Sequence, residues 1–292
     1  MKNITHILHF PAFEFYIPDR IMQTVQQERG MDMKQIFVSS TLLWNAGLEE
    51  MFQRVYDNGF DGIELWAQQF FARGYDTQEY LRLQALYPLR TCVHSCSWDL
   101  NLASMNQGIR EMSIKQVEAS MRLAAELEAM ELTVHPGHMT LPGRREESMK
   151  LLQDSLEQIG RLSDRIGVDV SLEIMENDPK KEFGNRCTEY GRSSRKQKKI
   201  SFFNTLDIAH CDSEEEPFHI LDQMKRISKI HISNRKGKCY HTPLENGDFS
   251  FKEMLPQLLA YGLPLVTEGY DDSRDFHTFT ENTAFLKTNG GL

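Results

Sequence analysis

Six residues of this 292-residue chain carry metal-ligand side chains and stand at the ends of short apolar runs. They are His94 in RTCVHS, His135 in ELTVHP, Glu173 in VDVSLEI, Asp207 in FFNTLDI, His231 in SKIHIS and Glu268 in LPLVTE. A carboxylate at the end of an apolar strand is costly to bury without a cation or a hydrogen-bond partner. A divalent cation compensates Glu173, Asp207 and Glu268 at once, and imidazole nitrogens belong to the donor sets such ions accept. The chemistry open to such a centre is that of a Lewis acid acting on a carbonyl or phosphoryl oxygen, or of an activated water. In NTLDIAHC, His210 follows Asp207 by three positions, within reach of a second ion or a substrate oxygen.

The elements that must position these residues recur along the chain. Eight β-rich runs lie at 34–40, 61–66, 90–95, 131–136, 168–174, 202–208, 228–233 and 263–268. Between most of them apolar residues repeat at helical spacing, as in LEEMFQRVYDNG, REESMKLLQDSLEQIGRLSDRIG and FKEMLPQLLAYG. Gly59 and Gly167 stand where C-cap glycines close a helix before the next strand. Alternating strands and helices predict parallel pairing through right-handed crossovers. Eight units predict an α/β fold, a single (β/α)8 TIM barrel over 33–292, with the chemistry at the C-terminal strand ends.

Two regions stand outside that count. Residues 1–32 precede the first strand and read as an N-terminal extension, with Met31 and Met33 as candidate starts. Residues 180–199, after the fifth strand, hold eight Lys or Arg against two Glu and read as a solvated basic insert where the fifth helix is due.

Over the whole chain the composition is that of a globular protein: 40% hydrophobic, 26% charged, net charge −9. The acidic balance argues against a general nucleic-acid binder. The cysteines Cys92, Cys96, Cys187, Cys211 and Cys239 form no CxxC pair, so reduced thiols are expected. No apolar run approaches the ~18 residues of a membrane span, and the N-terminus lacks signal-peptide order. A soluble, cytoplasmic protein without membrane partners is the expectation.

The ordered segments VHSCSWDLNLAS (93–104), VHPGH (134–138), LEIMEN (172–177), LDIAHC (206–211), KIHISN (229–234) and TEG (267–269) resemble the xylose-isomerase-like TIM barrels. That superfamily holds sugar isomerases and epimerases as well as apurinic endonucleases of the endonuclease IV type. The epimerase pattern implies one Mn, Co or similar ion on Glu173, Asp207, His231 and Glu268. The endonuclease pattern implies three zinc ions, with further ligands at His94, His135, His210 and His241. Where that pattern has Asp-x-His the chain reads Cys239-Tyr240-His241, and where epimerases carry a substrate-holding Arg it has Tyr240, with Arg235 and Lys236 nearby.

Two reactions follow. An isomerase or epimerase of a sugar or related hydroxy-carbonyl compound needs a base, an acid and a cation holding the enediolate oxygen. Glu173 and Glu268 are the expected catalytic pair. His210, Glu64 and Arg235 are expected to bind the substrate, with Trp66 and Trp98 as an apolar wall. The alternative is a zinc-dependent apurinic endonuclease, favoured by His94 and His135 and opposed by the acidic balance and by Cys239. A homodimer is expected from the resemblance.

Overall fold

The strand and helix patterns resolve into eight parallel strands that close on themselves. In the computed structural model, residues 35–176 and 202–292 are described. The barrel strands are β1 (Ile36–Ser39), β2 (Gly62–Trp66), β3 (Arg90–His94), β4 (Leu132–Val134), β5 (Val170–Ile174), β6 (Phe203–Asp207), β7 (Ile227–Ile232) and β10 (Leu265–Thr267). They close in the order β1-β10-β7-β6-β5-β4-β3-β2. The expected (β/α)8 barrel is therefore present. The N-terminal extension, Cys187, the basic insert and the place where the fifth helix is due lie outside the described residues.

The helices form because their apolar residues fall on one face. In α1 (Leu48–Asp57), Leu48, Met51, Phe52 and Val55 are buried, the i, i+3, i+4, i+7 stripe of a helix lying against a sheet. The long α5 (Arg145–Ile166) ends on Gly167 at φ 85°, and Gly59 just beyond α1 has φ 86°. Both are left-handed positions that a side chain resists, as the sequence predicts.

Three elements escape the periodicity. The seven-residue α2 (Ala67–Arg73) directly follows β2 and stops at left-handed Gly74; it is too short to display a period. It precedes α3 (Thr77–Leu86), α4 (Gln107–Glu126) follows β3, and α6 (Glu216–Gln223) and α7 (Phe251–Ala260) flank β7 and β10. The closing α8 (His277–Thr288) carries four Thr and one Asn, hence is weak in intrinsic propensity, but it buries Phe279, Asn282, Thr283 and Leu286. The third is an antiparallel hairpin, β8 (Asn234–Lys236) with β9 (Cys239–Thr242), standing after β7 at the barrel mouth.

The barrel interior is polar where the site is built. Glu64, Thr133, Ser171, Thr205 and Lys229 are buried, and Lys229 Nζ lies 3.3 Å from Glu64 Oε1. β2 and β7 are not neighbours in the sheet, so these side chains meet through the lumen. Phe37, Cys92 and Val266 make a small apolar cluster of their own. Gly62 lets Phe37 fit, because a Cβ there would lie 2.2 Å from the Phe37 ring.

Candidate metal centre

Strand register delivers the predicted donors to one place. Asp207 pairs with His231 across β6 and β7, and Trp66 with His94 across β2 and β3. Three groups of donor atoms result, each with its atoms within 4.8 Å of one another: His94, His135 and Glu173; Glu173, Asp207 and His231; Asp207, His210 and His241. Glu268 joins the second group, its Oε2 2.8 Å from His231 Nδ1.

Glu173 is the hub. Its Oε2 lies 3.3 Å from His94 Nε2, 3.2 Å from His135 Nε2 and 3.6 Å from His231 Nδ1. His94 Nδ1 lies 2.9 Å from the Ser95 carbonyl; with that nitrogen tied to the backbone, Nε2 is the one turned to Glu173.

The NTLDIAHC motif has a local explanation. After β6 the chain makes one 3-10 turn, Ile208–His210, fixed where Ala209 N donates to Asp207 Oδ1 at 2.8 Å. Positions i and i+3 eclipse in such a turn, so His210 Nε2 stands 3.5 Å from Asp207 Oδ2. Its Nδ1 faces Glu176 Oε2 at 3.6 Å, a carboxylate the sequence reading passes over although it stands three positions after Glu173. His241 comes from the hairpin at a left-handed φ of 59°, its Nδ1 3.0 Å from Ser233 Oγ and 3.9 Å from Asp207 Oδ2. Cys239 is exposed.

The electrostatics are those of acids and imidazoles packed closely together in a buried site. Burial alone would lower His231; the carboxylates of Glu268 and Glu64 outweigh it and hold the imidazole well above its ordinary range. Burial likewise opposes protonation of His135, but Glu173 outweighs it and raises His135 to about 8. Asp207 is raised, mainly by burial. Glu173 and Glu268 are lowered because their histidine neighbours overcome burial.

These residues fit a divalent cation on a structural test. Asp207 Oδ2, His135 Nε2, His210 Nδ1, His231 Nδ1 and Glu268 Oε2 are buried atoms with no hydrogen-bond partner. His231 Nδ1 and Glu268 Oε2 approach to 2.8 Å without the alignment of a donor and an acceptor. Unpaired buried polar atoms are expensive, and a cation among them satisfies several together.

Other predicted residues fall differently. Glu64 is fully buried below the donor groups, with Oε2 2.8 Å from His231 Nε2; it faces His231, not substrate space. Arg235 is turned onto backbone carbonyls, donating to Cys211 O at 2.6 Å and Gly237 O at 2.9 Å, with its guanidinium 5.2 Å from the Tyr240 ring centroid. A cavity of 420 Å³ opens beside Glu268, His135 and His241, with Trp66, Trp98, Tyr240 and Tyr270 on its wall. Trp98, Trp44 and Tyr270 pack together, Trp44 standing 5.1 Å from Trp98 and 5.4 Å from Tyr270 between ring centroids. Tyr270 and Trp44 carry no sequence signal beyond their nearness to TEG and to the first strand end.

A family model for the xylose isomerase-like TIM barrel matches residues 52–288. The chain belongs to that family. Among relatives of known sequence, the uncharacterized protein MJ1311 of Methanocaldococcus jannaschii is 24% identical over 242 residues, covering 80% of this chain and 81% of that protein. Among solved structures, a D-tagatose 3-epimerase-like protein superposes with TM-score 0.71 at 20% identity, over 87% of this chain and 96% of that one. The TTHB071 protein of Thermus thermophilus, in crystals soaked with ZnCl2, gives 0.64 at 22% identity, over 89% and 98%. At these identities the structural likeness is one of fold. Among the described residues no helix of this xylose isomerase-like barrel is long and apolar enough to cross a membrane.

Proposed function

We propose that this chain is a divalent-metal-dependent isomerase or epimerase of a sugar or related hydroxy-carbonyl compound. The observation that carries the reading is the placement of Glu173 and Glu268. They come from strands three places apart around an eight-stranded ring, and both reach His231 Nδ1 while Glu268 also lines the 420 Å³ cavity. Such a volume lies within the range of small-ligand pockets. The fold shared with a D-tagatose 3-epimerase-like protein supports the same reading.

Glu173, Asp207, His231 and Glu268 would hold the ion, which supplies an electrophile for a substrate carbonyl oxygen. Both glutamates are kept ionised by their histidine neighbours. Glu268, at the cavity wall, takes the proton next to the carbonyl, and Glu173 passes to the other side a proton drawn from His135, whose Nε2 lies 3.2 Å away and whose imidazole is raised to about 8. His210, with Glu176 behind it, holds a substrate hydroxyl. Trp66 and Trp98 cover the apolar face of the sugar and keep water from the reacting carbons.

A second reading is favoured by one specific observation. Glu173 is shared between the group with His94 and His135 and the group with Asp207 and His231, more donors than a single ion needs. A zinc-dependent phosphodiesterase acting at abasic sites uses such clustered ions.

Elemental analysis of the purified protein, with a screen against ketoses and an abasic duplex, tests both. One tightly bound ion per chain and chelator-sensitive ketose turnover support the first. Three zinc ions, with chelator-sensitive nicking and no ketose turnover, replace it by the second.

A further inference from the structure

The lumen beneath the donor groups holds a buried array of charges that neither reaction consumes. Lys229, two residues before His231 on β7, is 1% exposed. Its ammonium donates to Glu131 Oε1 and lies 3.3 Å from Glu64 Oε1. Glu64 divides its two oxygens: Oε1 also accepts from Thr133 Oγ1 at 2.9 Å, and Oε2 lies 2.8 Å from His231 Nε2, in ion-pair contact without hydrogen-bond alignment. Glu131 is held in turn by Ser228 Oγ at 3.0 Å. Along the lumen the order is therefore Glu131, Lys229, Glu64, His231 and then the donor group.

We propose that Lys229, seated on Glu131, is a positioning residue of the metal centre: it fixes which Glu64 oxygen faces His231 and so keeps the His231 Nδ1 lone pair turned into the donor group. The proposal rests on the reading that His231 is a metal ligand. Three arguments carry it. First, an imidazole binds through one nitrogen while the other is fixed by an outer partner, and a carboxylate in that place raises ligand basicity. Second, Glu64 can serve as that partner only if it does not rotate, and Lys229 with Thr133 occupies the oxygen that rotation would bring round. Third, a buried ion pair is a poor source of stability, since apolar residues of similar size do as well or better; a charged triad enclosed in a barrel calls for a role in orientation.

The test uses the full chain and the charge-balanced double variant Lys229→Met/Glu131→Gln, which removes one buried cation and one buried anion together and leaves Glu64 with Thr133 and His231. Zinc affinity is measured by competition with a chromophoric chelator, and the visible spectrum is recorded after Co(II) loading. A merely structural pair would move neither readout in a folded variant. The expected result is a cooperatively folded protein whose zinc affinity is about 10- to 100-fold weaker, with an altered Co(II) spectrum. Zinc affinity and spectrum equal to those of the unsubstituted chain would overturn the proposal, and so would failure of the double variant to fold, which would assign the pair to the barrel itself. If the unsubstituted chain binds neither ion, the metal reading fails instead, and the two failures are distinct.

Discussion

Trp66 lies flat on His94, their ring centroids 3.9 Å apart and their planes 4° from parallel. The two residues are register partners on β2 and β3, so the sheet itself aligns them, and Trp66 is only 6% exposed. The indole thus clamps the imidazole that addresses Glu173 from one side. Trp66→Ala is expected to cost about 3–5 kcal/mol, the usual range for emptying an aromatic site in a core. It should also lower metal occupancy of the His94, His135 and Glu173 group. Urea unfolding and metal stoichiometry of the same preparation check both effects; an unchanged unfolding midpoint would remove the clamp.

Glu268→Gln keeps the shape of the cavity wall and removes the proposed base. Turnover of a responsive ketose should fall by roughly 10²- to 10⁴-fold, the contribution general acid–base groups make, with the circular dichroism spectrum unaltered. Glu173→Gln should be as damaging to turnover and should also release metal, because Glu173 belongs to two donor groups. A Glu268→Gln protein of full activity would take that residue out of the proton-transfer scheme.

The metal-free protein should lose stability as pH rises between about 6.5 and 8. His135 is raised to about 8 by Glu173 against an ordinary value of 6.5, so over that window the folded chain binds more protons than the unfolded one. Unfolding free energy then falls with increasing pH: the contribution is complete below about 6.5 and gone once pH has passed through about 8. Melting temperatures of the chelated protein, compared with those of His135→Gln, isolate the effect. The same proton must leave when His135 takes a metal. Zinc titrations in buffers of different ionisation enthalpy should therefore show proton release near pH 7 that is diminished in His135→Gln.

The barrel and the gathering of donors were legible because they follow from short-range rules. Alternating apolar runs define strands, parallel strands separated by helices close in one order, and the C-terminal strand ends are neighbours in that order. Hence Glu173 and His231, 58 positions apart by their numbers in the sequence, could be placed in one group before any coordinates. Long-range side-chain orientation was not legible. Nothing in the residues around Glu64 says that its carboxylate points across the lumen to His231 and Lys229, since that contact joins strands that are not paired. Arg235 was placed by its nearness to the expected substrate-binding Arg, but hairpin geometry turns it to the Cys211 and Gly237 carbonyls. Helix α8 was missed because its Thr and Asn residues dilute the apolar stripe that tertiary burial nonetheless uses.

The hairpin that brings His241 to the centre hangs on one buried amide. Asn234 Nδ2 donates to Leu244 O at 2.9 Å and Phe249 O at 2.8 Å, while Oδ1 accepts from Arg235 N at 2.8 Å and Phe249 N at 3.1 Å. This filled amide leaves no room beside it: a Cβ on Gly247 would sit 2.1 Å from Asn234 Oδ1. Gly247→Ala must therefore displace the amide or the loop, at a cost of about 1–3 kcal/mol typical of overpacking. Because β8 and β9 are paired through Asn234 and Thr242, the displacement should reach His241 more than the ligands on the barrel strands. The expected outcome is a folded protein in which binding at the Asp207, His210 and His241 group is weakened while the ion at Glu173, Asp207 and His231 is retained. Equilibrium unfolding and stepwise zinc titration measure the two effects, and equal loss at both groups would show that the hairpin is not mechanically separate from the barrel.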